Sequence, residues 1–285
     1  MKPPQHFLVP TDFSDGACQA VRYAVDLAHR SGARLLLYHA VHLPVGGRDS
    51  LMTYRVIEQM HADAEQHFER MRREIPGLDE VLHQTLIEVG HPFDNLVSLL
   101  DRHHVDLIVM GTRGAGGALG RLLGSNAARL MGRCLCPVLA VPHKQSKLVP
   151  PVRRILFATD YANGVSERQM RPLVNLAEAY DAEITVLKVD AEGPMPPDEE
   201  LVTVGAPPLP NQVRMQVYFD RVRSSYYLTH HEDVGEGIED FVRLHDIDVL
   251  AMMPRRHSVF ERLTRGSHTR RMALRAHLPL FAFPG

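Results

Sequence analysis

Residues 248–284 repeat residues 106–142 without a gap. Asp106, Met110, Arg113, Gly124, Ser125, Arg129, Arg133, Pro137, Ala140 and Pro142 all keep their type in the second stretch. A shorter match lies upstream, where Arg154-Ile155-Leu156-Phe157-Ala158-Thr159-Asp160-Tyr161 follows the pattern of the segment through Pro10, Thr11, Asp12 and Phe13, with Asp160 in the place of Asp12. A chain that carries the same pattern twice has to build the same unit twice. At 285 residues it is long enough for two domains of ordinary size. Lys144 to Pro151 is polar and then proline-rich and reads as the linker, giving domains at 1–146 and 152–285.

Within the first copy, apolar periodicity switches between strand and helix. Residues 7–11 read as a short strand, and Ser14 is placed to cap a helix with Ala17, Ala20, Val21, Ala24, Leu27 and Ala28 on one face and Gly32 as its stop. A strand follows over Ala33 to Val41, then a loop and a long charged helix over 51–73, ended by Pro76-Gly77. Val81 to Val89 is the next strand, and Gly90-His91-Pro92 opens a helix carrying Phe93, Leu96, Val97 and Leu100. Leu107 to Met110 is an unbroken apolar run suited to a strand buried on both faces, and CPVLAVP is another. Strand–helix alternation of this kind predicts an α/β fold: two tandem doubly wound, mainly parallel five-stranded sheets. Ligands of such sheets bind at the carboxyl ends of the strands, so Asp12, the strand end near Val41 and Gly111 are expected on one rim.

Between Met110 and the last strand lies the chemistry. Gly111, Gly114, Gly116, Gly117 and Gly120 make a glycine-rich loop, and Ser125 is placed to cap the helix NAARLMGRC. Glycines admit a ligand close to the backbone, and a helix N-terminus offers free N–H groups and the positive end of its dipole. Arg113 and Arg121 add positive charge, so a phosphate group is the natural occupant. The spacing is neither a P-loop nor a G-x-G-x-x-G dinucleotide fingerprint.

Gly111, Gly114 and the pair Gly124-Ser125 form G-x2-G-x9-G-[ST], which resembles the universal stress protein family, here as a tandem two-domain type. Phe7-Leu8-Val9-Pro10-Thr11-Asp12-Phe13-Ser14 resembles that family's first strand and the turn with its nucleotide-contacting aspartate. The resemblance implies a Rossmann-like fold of the adenine nucleotide alpha hydrolase type, with ATP, alone or with Mg, as ligand. Carried over residue by residue, it implies that Asp12 and Val41 contact the adenosine, that Pro10 and Thr11 also belong to the nucleotide site, and that Met110 and Gly111 pass under the ribose and α-phosphate. Arg113, Gly114, Gly124, Ser125 and Asn126 would hold the phosphate chain. It also implies pairing through last strands, either Val138–Val141 with Leu280–Phe283 inside one chain as a pseudo-dimer, or between two chains of a homodimer.

The second copy departs where the loop matters. Met253 and Arg256 replace Gly111 and Gly114, Pro254 replaces Thr112, and Ala162 replaces Ser14. A Cβ at the first two positions blocks close approach to phosphate, and the proline removes a donor. This copy is therefore expected to be degenerate, structural or partner-binding, although Arg255, Arg256, Arg262 and Arg265 leave a cationic pocket as an alternative. It also carries an insertion, Glu192 to Pro210, whose six prolines argue against regular structure, followed by an expected helix around Asn211 to Ser225.

Several functions are disfavoured. A formal net charge of −2 argues against a dedicated nucleic-acid binder. No apolar run reaches membrane-spanning length and the segment Met1–His6 lacks a signal-peptide layout, so a cytoplasmic protein is expected. Cys18, Cys134 and Cys136 read as small buried residues. Of seventeen histidines, the adjacent pairs His103-His104 and His230-His231 point apart and do not suggest a metal site. No G-x-S-x-G elbow appears, and Asp12 is the one carboxylate placed on the rim; the resemblance assigns it to the base or ribose end of the nucleotide, too far from the γ-phosphate to act as a base. The expectation is binding without turnover: an ATP-binding stress-response regulator acting on a protein partner. A nucleotide-independent interaction scaffold and a slow ATPase are the alternatives.

Overall fold

The computed structural model describes residues 5–42, 50–112, 129–130, 136–143, 146–159, 166–191, 200–201, 217–253 and 278–284. The chain divides into two compact units. The first holds Met1–Leu119, Leu123–Ala127 and Leu139–Val149, and the second Gly120–Leu122, Ala128–Val138 and Pro150–Gly285.

In the first unit the elements run β1 (His6–Pro10), α1 (Asp15–Ser31), β2 (Arg34–Val41), α2 (Ser50–Glu74), β3 (His83–Val89), α3 (Pro92–Arg102), β4 (Leu107–Gly111) and β5 (Val138–Val141). The strands lie in the order β3-β2-β1-β4-β5. The ladders β1·β2, β2·β3 and β1·β4 are parallel. Each helix forms for local reasons. The Ser14 hydroxyl accepts the Ala17 N–H and Gly32 closes α1 in the left-handed region at φ 70°. Pro92 opens α3, where its missing N–H costs nothing. Gly77, at φ 79°, carries the chain out of α2 into a short turn at Leu78–Glu80.

Alternation along β2 separates the two helical layers. His39 points to the face of α2, meeting Phe13 beside Phe68, while the neighbouring Tyr38 points to α3, next to Asn95. Between these layers β1, β4 and β5 are buried almost throughout.

The second unit repeats the plan with β6 (Arg154–Ala158), α4 (Glu167–Tyr180), β7 (Glu183–Asp190), β8 (Glu200–Leu201), β9 (Ser224–His230), α5 (Val234–Leu244), β10 (Val249–Met252) and β11 (Leu280–Ala282). Its strand order is β11-β10-β6-β7-β9-β8, with every ladder parallel except β8·β9. The duplication extends to fine detail. Asp106 accepts the His6 N–H at the start of β1, and Asp248 accepts the Arg153 and Arg154 N–H groups at the start of β6. Positive φ recurs at the matching helix exits His104 (47°) and Asp246 (49°).

Two expectations need correction. The helix expected over Asn211 to Ser225 does not reach its proposed end, because the chain turns at 219–222 and Ser224 and Ser225 already belong to β9. Ser-Ser-Tyr-Tyr-Leu-Thr is β-branched and aromatic, and pairing with β7 overrides its weak helical pattern. The second sheet also gains a sixth strand, since Glu200–Leu201, inside the proline-rich insertion, pairs antiparallel with Leu228 and Tyr227. The remainder of that insertion, the glycine loop 113–128 and its counterpart 254–277 lie outside the described residues.

Candidate functional site

The strand order of the first unit reverses at β1. From β1 the chain steps outward to β2 and β3, then returns to place β4 on the other side of β1. In an open α/β sheet, ligands bind outside the carboxyl ends of the two strands that meet at such a reversal, here β1 and β4. Pro10 is the last residue of β1 and Gly111 the last of β4, and both strands run the same way.

A chain of short hydrogen bonds shapes the β1 side. The Thr11 N–H donates to the Tyr38 carbonyl at 2.8 Å, extending the ladder past Pro10. Thr11 is only 7% exposed, and its hydroxyl oxygen accepts the Phe13 N–H at 3.0 Å. Its carbonyl lies 2.8 Å from His39 Nδ1, so that nitrogen carries the proton in the neutral ring. The exposed Asp12 carboxylate accepts from both the Ser14 N–H (3.1 Å) and the Ser14 hydroxyl (2.5 Å). Ser14 in turn caps α1 through the Ala17 N–H. Phe13 sits between these turns at φ 60°, in the left-handed region that a bulky side chain seldom adopts. Its ring holds it there, stacked on His67 with centroids 4.8 Å apart, tilted against His39 at 4.6 Å and edge-on to Phe68 at 5.0 Å.

The β4 side is set by backbone contact. A Cβ built on Gly111 would lie 2.7 Å from the Gly16 carbonyl oxygen and 3.2 Å from the Ala17 nitrogen, so the first turn of α1 rests directly on Gly111. The next residue, Thr112, donates its N–H to Val141 at the end of β5. Met110 and Val41 are buried, and the Val41 carbonyl accepts the Gly90 N–H.

Of the residues singled out in the sequence, Pro10, Thr11, Asp12, Val41, Met110 and Gly111 thus lie at the carboxyl ends of adjacent strands. Arg113, Gly114, Gly124, Ser125 and Asn126 lie outside the described residues. Phe13 and His39 were not singled out, although His39 stands two residues before Val41 on the same face of β2, a spacing that would have marked it. Cys136 is buried as expected, Cys18 is only part-buried with burial pushing its thiol up, and Cys134 lies outside the described residues. Among the described residues no group of three or more His, Cys, Asp or Glu is arranged to hold a metal ion.

The corresponding rim of the second unit is built differently. Met253, 9% exposed, stands in the place of Gly111, and Asp190 in the place of Val41. Helix α4 starts at Glu167, one turn later in the repeat frame than α1, with a capping box between Ser166 and Gln169. The serine that caps α1 has become Ala162, and the cap has moved to the next available hydroxyl.

A doubly wound, mainly parallel sheet made twice, with a glycine-rich sequence after the fourth strand of the first copy alone, defines a tandem α/β protein. A profile of the universal stress protein family matches residues 4–142 and again 151–284. The chain belongs to that family. It is 33% identical over 135 residues to a universal stress protein of Thermus aquaticus, an alignment covering 47% of this chain and 96% of the relative. It is 29% identical over 136 residues to one from Methanocaldococcus jannaschii, covering 47% of this chain and 79% of that one. The crystal structure of a universal stress protein from Archaeoglobus fulgidus superposes with a TM-score of 0.66 at 14% identity, over 98% of both chains, which establishes the shared fold. No helix among the described residues is long and apolar enough to cross a membrane.

Proposed function

We propose that the first domain, residues 1–146, binds ATP or a related adenine nucleotide and that the protein is a stress-response regulator whose protein contacts depend on that ligand. The observation that carries the reading is the convergence of Pro10–Asp12, Val41 and Met110–Gly111 at the reversal between β1 and β4, immediately before the G-x2-G-x9-G-[ST] pattern. Charge distribution supports an orientation. The amino end of α1 is already capped by Ser14 and flanked by Asp12 and Asp15, which makes it a poor seat for phosphate. Hydroxyl and amino groups of the adenosine suit that side, and the phosphates suit the glycines beyond Gly111. Mg would travel with the phosphates.

The second domain, residues 152–285, serves structure or partner contact in this reading. Met253 fills the place where the first domain has a glycine, and Asp190 brings a carboxylate where it has an aliphatic floor. Turnover is not part of the proposal.

The test is the nucleotide content of freshly purified protein, released by denaturation and measured against chain concentration. About one adenine nucleotide per chain, lost in Gly114→Arg, is expected. Two per chain would give the second domain a live site. None, with no binding of added ATP, would replace the proposal with the interaction scaffold. Rapid ATP hydrolysis abolished by Gly114→Arg would refute the non-enzymatic reading.

A further inference from the structure

The first sheet ends at β3, and the backbone shows which of its groups are unused by that sheet. The Leu35 N–H donates to the Leu82 carbonyl and the Gly90 N–H to the Val41 carbonyl, with Leu35 in register with His83 and Val41 with Val89. Parallel pairing therefore spends the amides and carbonyls of Gln84, Leu86 and Glu88 on β2, and those of His83, Thr85, Ile87 and Val89 point away. The same count on β9, from Ile184 to Arg223 and from His231 to Asp190, points Ser224, Tyr226, Leu228 and His230 away from β7. There the edge is taken: Glu200, from the proline-rich insertion, sits opposite Leu228, the counterpart of Ile87. The insertion has no counterpart in the first copy.

We propose that β3 pairs antiparallel with β3 of a second copy of this chain, joining two first-domain sheets across a two-fold axis. The sequence of the strand is self-complementary in one register. With Leu86 opposite Leu86, Thr85 faces Ile87 and His83 faces Val89, so every outward amide meets an outward carbonyl. Glu88 then faces Gln84, an amide, and no like charges oppose one another. The Glu88 carboxylate is in addition held by Arg102 at 2.5 Å. Val89, 45% exposed, would lie opposite His83 of the second copy on one face of the joined sheet. The strand has no proline or lysine of the kind that guards edges against pairing. An isologous contact of this type closes at two subunits.

The experiment uses the full chain, sized by sedimentation velocity across a dilution series. Thr85 is exposed and its N–H points outward, so Thr85→Pro removes an edge donor and leaves the β2 ladder whole. The wild type is expected to be dimeric, and Thr85→Pro to weaken the dimer by about tenfold or more with an unchanged circular dichroism spectrum. Should Thr85→Pro fail to fold, Thr85→Lys is the replacement, with the same expectation. Leu86→Cys should oxidise to a disulfide-linked dimer above the background set by the natural cysteines, because facing non-hydrogen-bonded residues lie within disulfide reach, while Gln84→Cys should not. A monomer at every concentration overturns the proposal. So does a dimer indifferent to both Thr85 variants, which would place the contact elsewhere, or equal cross-linking at both cysteine positions. A monomer that binds a synthetic Asp198–Val204 peptide through β3 would reassign the edge to an extended peptide and equally refute the dimer.

Discussion

Replacing Gly111 by alanine tests the contact that shapes the rim. The added methyl would sit 2.7 Å from the Gly16 oxygen, 2.8 Å from its carbonyl carbon and 3.2 Å from the Ala17 nitrogen, all backbone atoms of one helical turn. That turn is tethered by the Ser14 hydroxyl to the Ala17 N–H and by the Ser14 carbonyl to the Cys18 N–H. Relief requires β4 and α1 to part, which for overpacking of this size costs about 1–3 kcal/mol. If the first turn lets go, loss of the cap adds about 1 kcal/mol. A total near 2–4 kcal/mol corresponds to a fall in Tm of about 5–15 °C for a domain of this length. The assay is urea denaturation with thermal unfolding, alongside bound nucleotide per chain. Gly32→Ala is the control: no atom lies within 4 Å of the built Cβ, so only the positive φ of 70° is penalised, by about 1 kcal/mol. Gly111→Ala within about 0.5 kcal/mol of wild type, or no worse than Gly32→Ala, would show that the first turn of α1 does not rest on Gly111 as described.

Ser14→Ala should cost about 0.5–2 kcal/mol in urea denaturation, since the Ala17 N–H loses its acceptor and Asp12 its anchor. Asp248→Ala should destabilise more than Asp106→Ala, because Asp248 accepts two strand-opening amides and Asp106 one; the expected gap is about 1 kcal/mol by equilibrium unfolding. Burial, the largest influence on the Tyr38 hydroxyl, pushes it from 10.0 up to about 12 against a smaller opposing pull from Asn95. The neutral form is thus favoured by folding, so this contribution is whole below pH 10 and lost as pH rises through about 12. Tyr38→Phe should flatten that alkaline decline, measured as unfolding free energy against pH, and an unchanged slope would remove Tyr38 as its source.

Much of this architecture was legible because it is written in local chemistry. Ser14, Gly32, Pro92 and the strand run Leu107–Met110 each impose a conformation within a few residues, and the repeat then supplied the second unit. What resisted reading depends on distant partners. Ser224–His230 carries a pattern that only the neighbouring β7 resolves into a strand, and Glu200–Leu201 becomes a strand only because β9 has an open edge to fill. Asp12 was assigned to the rim by motif alone, whereas its engagement with Ser14 is a property of the folded turn. Gly111 is the instructive case: a glycine there is equally compatible with a close ligand and with a close helix, and only the position of Gly16 tells which contact the structure already makes.

That contact also bears on how the two halves drifted apart. Gly111 and the first turn of α1 each permit the other, so a large side chain on the strand and an early helix start exclude one another. In the second unit both differ, with Met253 directly after β10 and a helix that begins at Glu167, capped by Ser166. Met253→Gly and Ala162→Ser are thus expected to act non-additively on the stability of the second unit, which a double-mutant cycle by urea denaturation would measure. Coupling of that kind would make the exchange of one copy's rim for the other's a two-position change, not a single one.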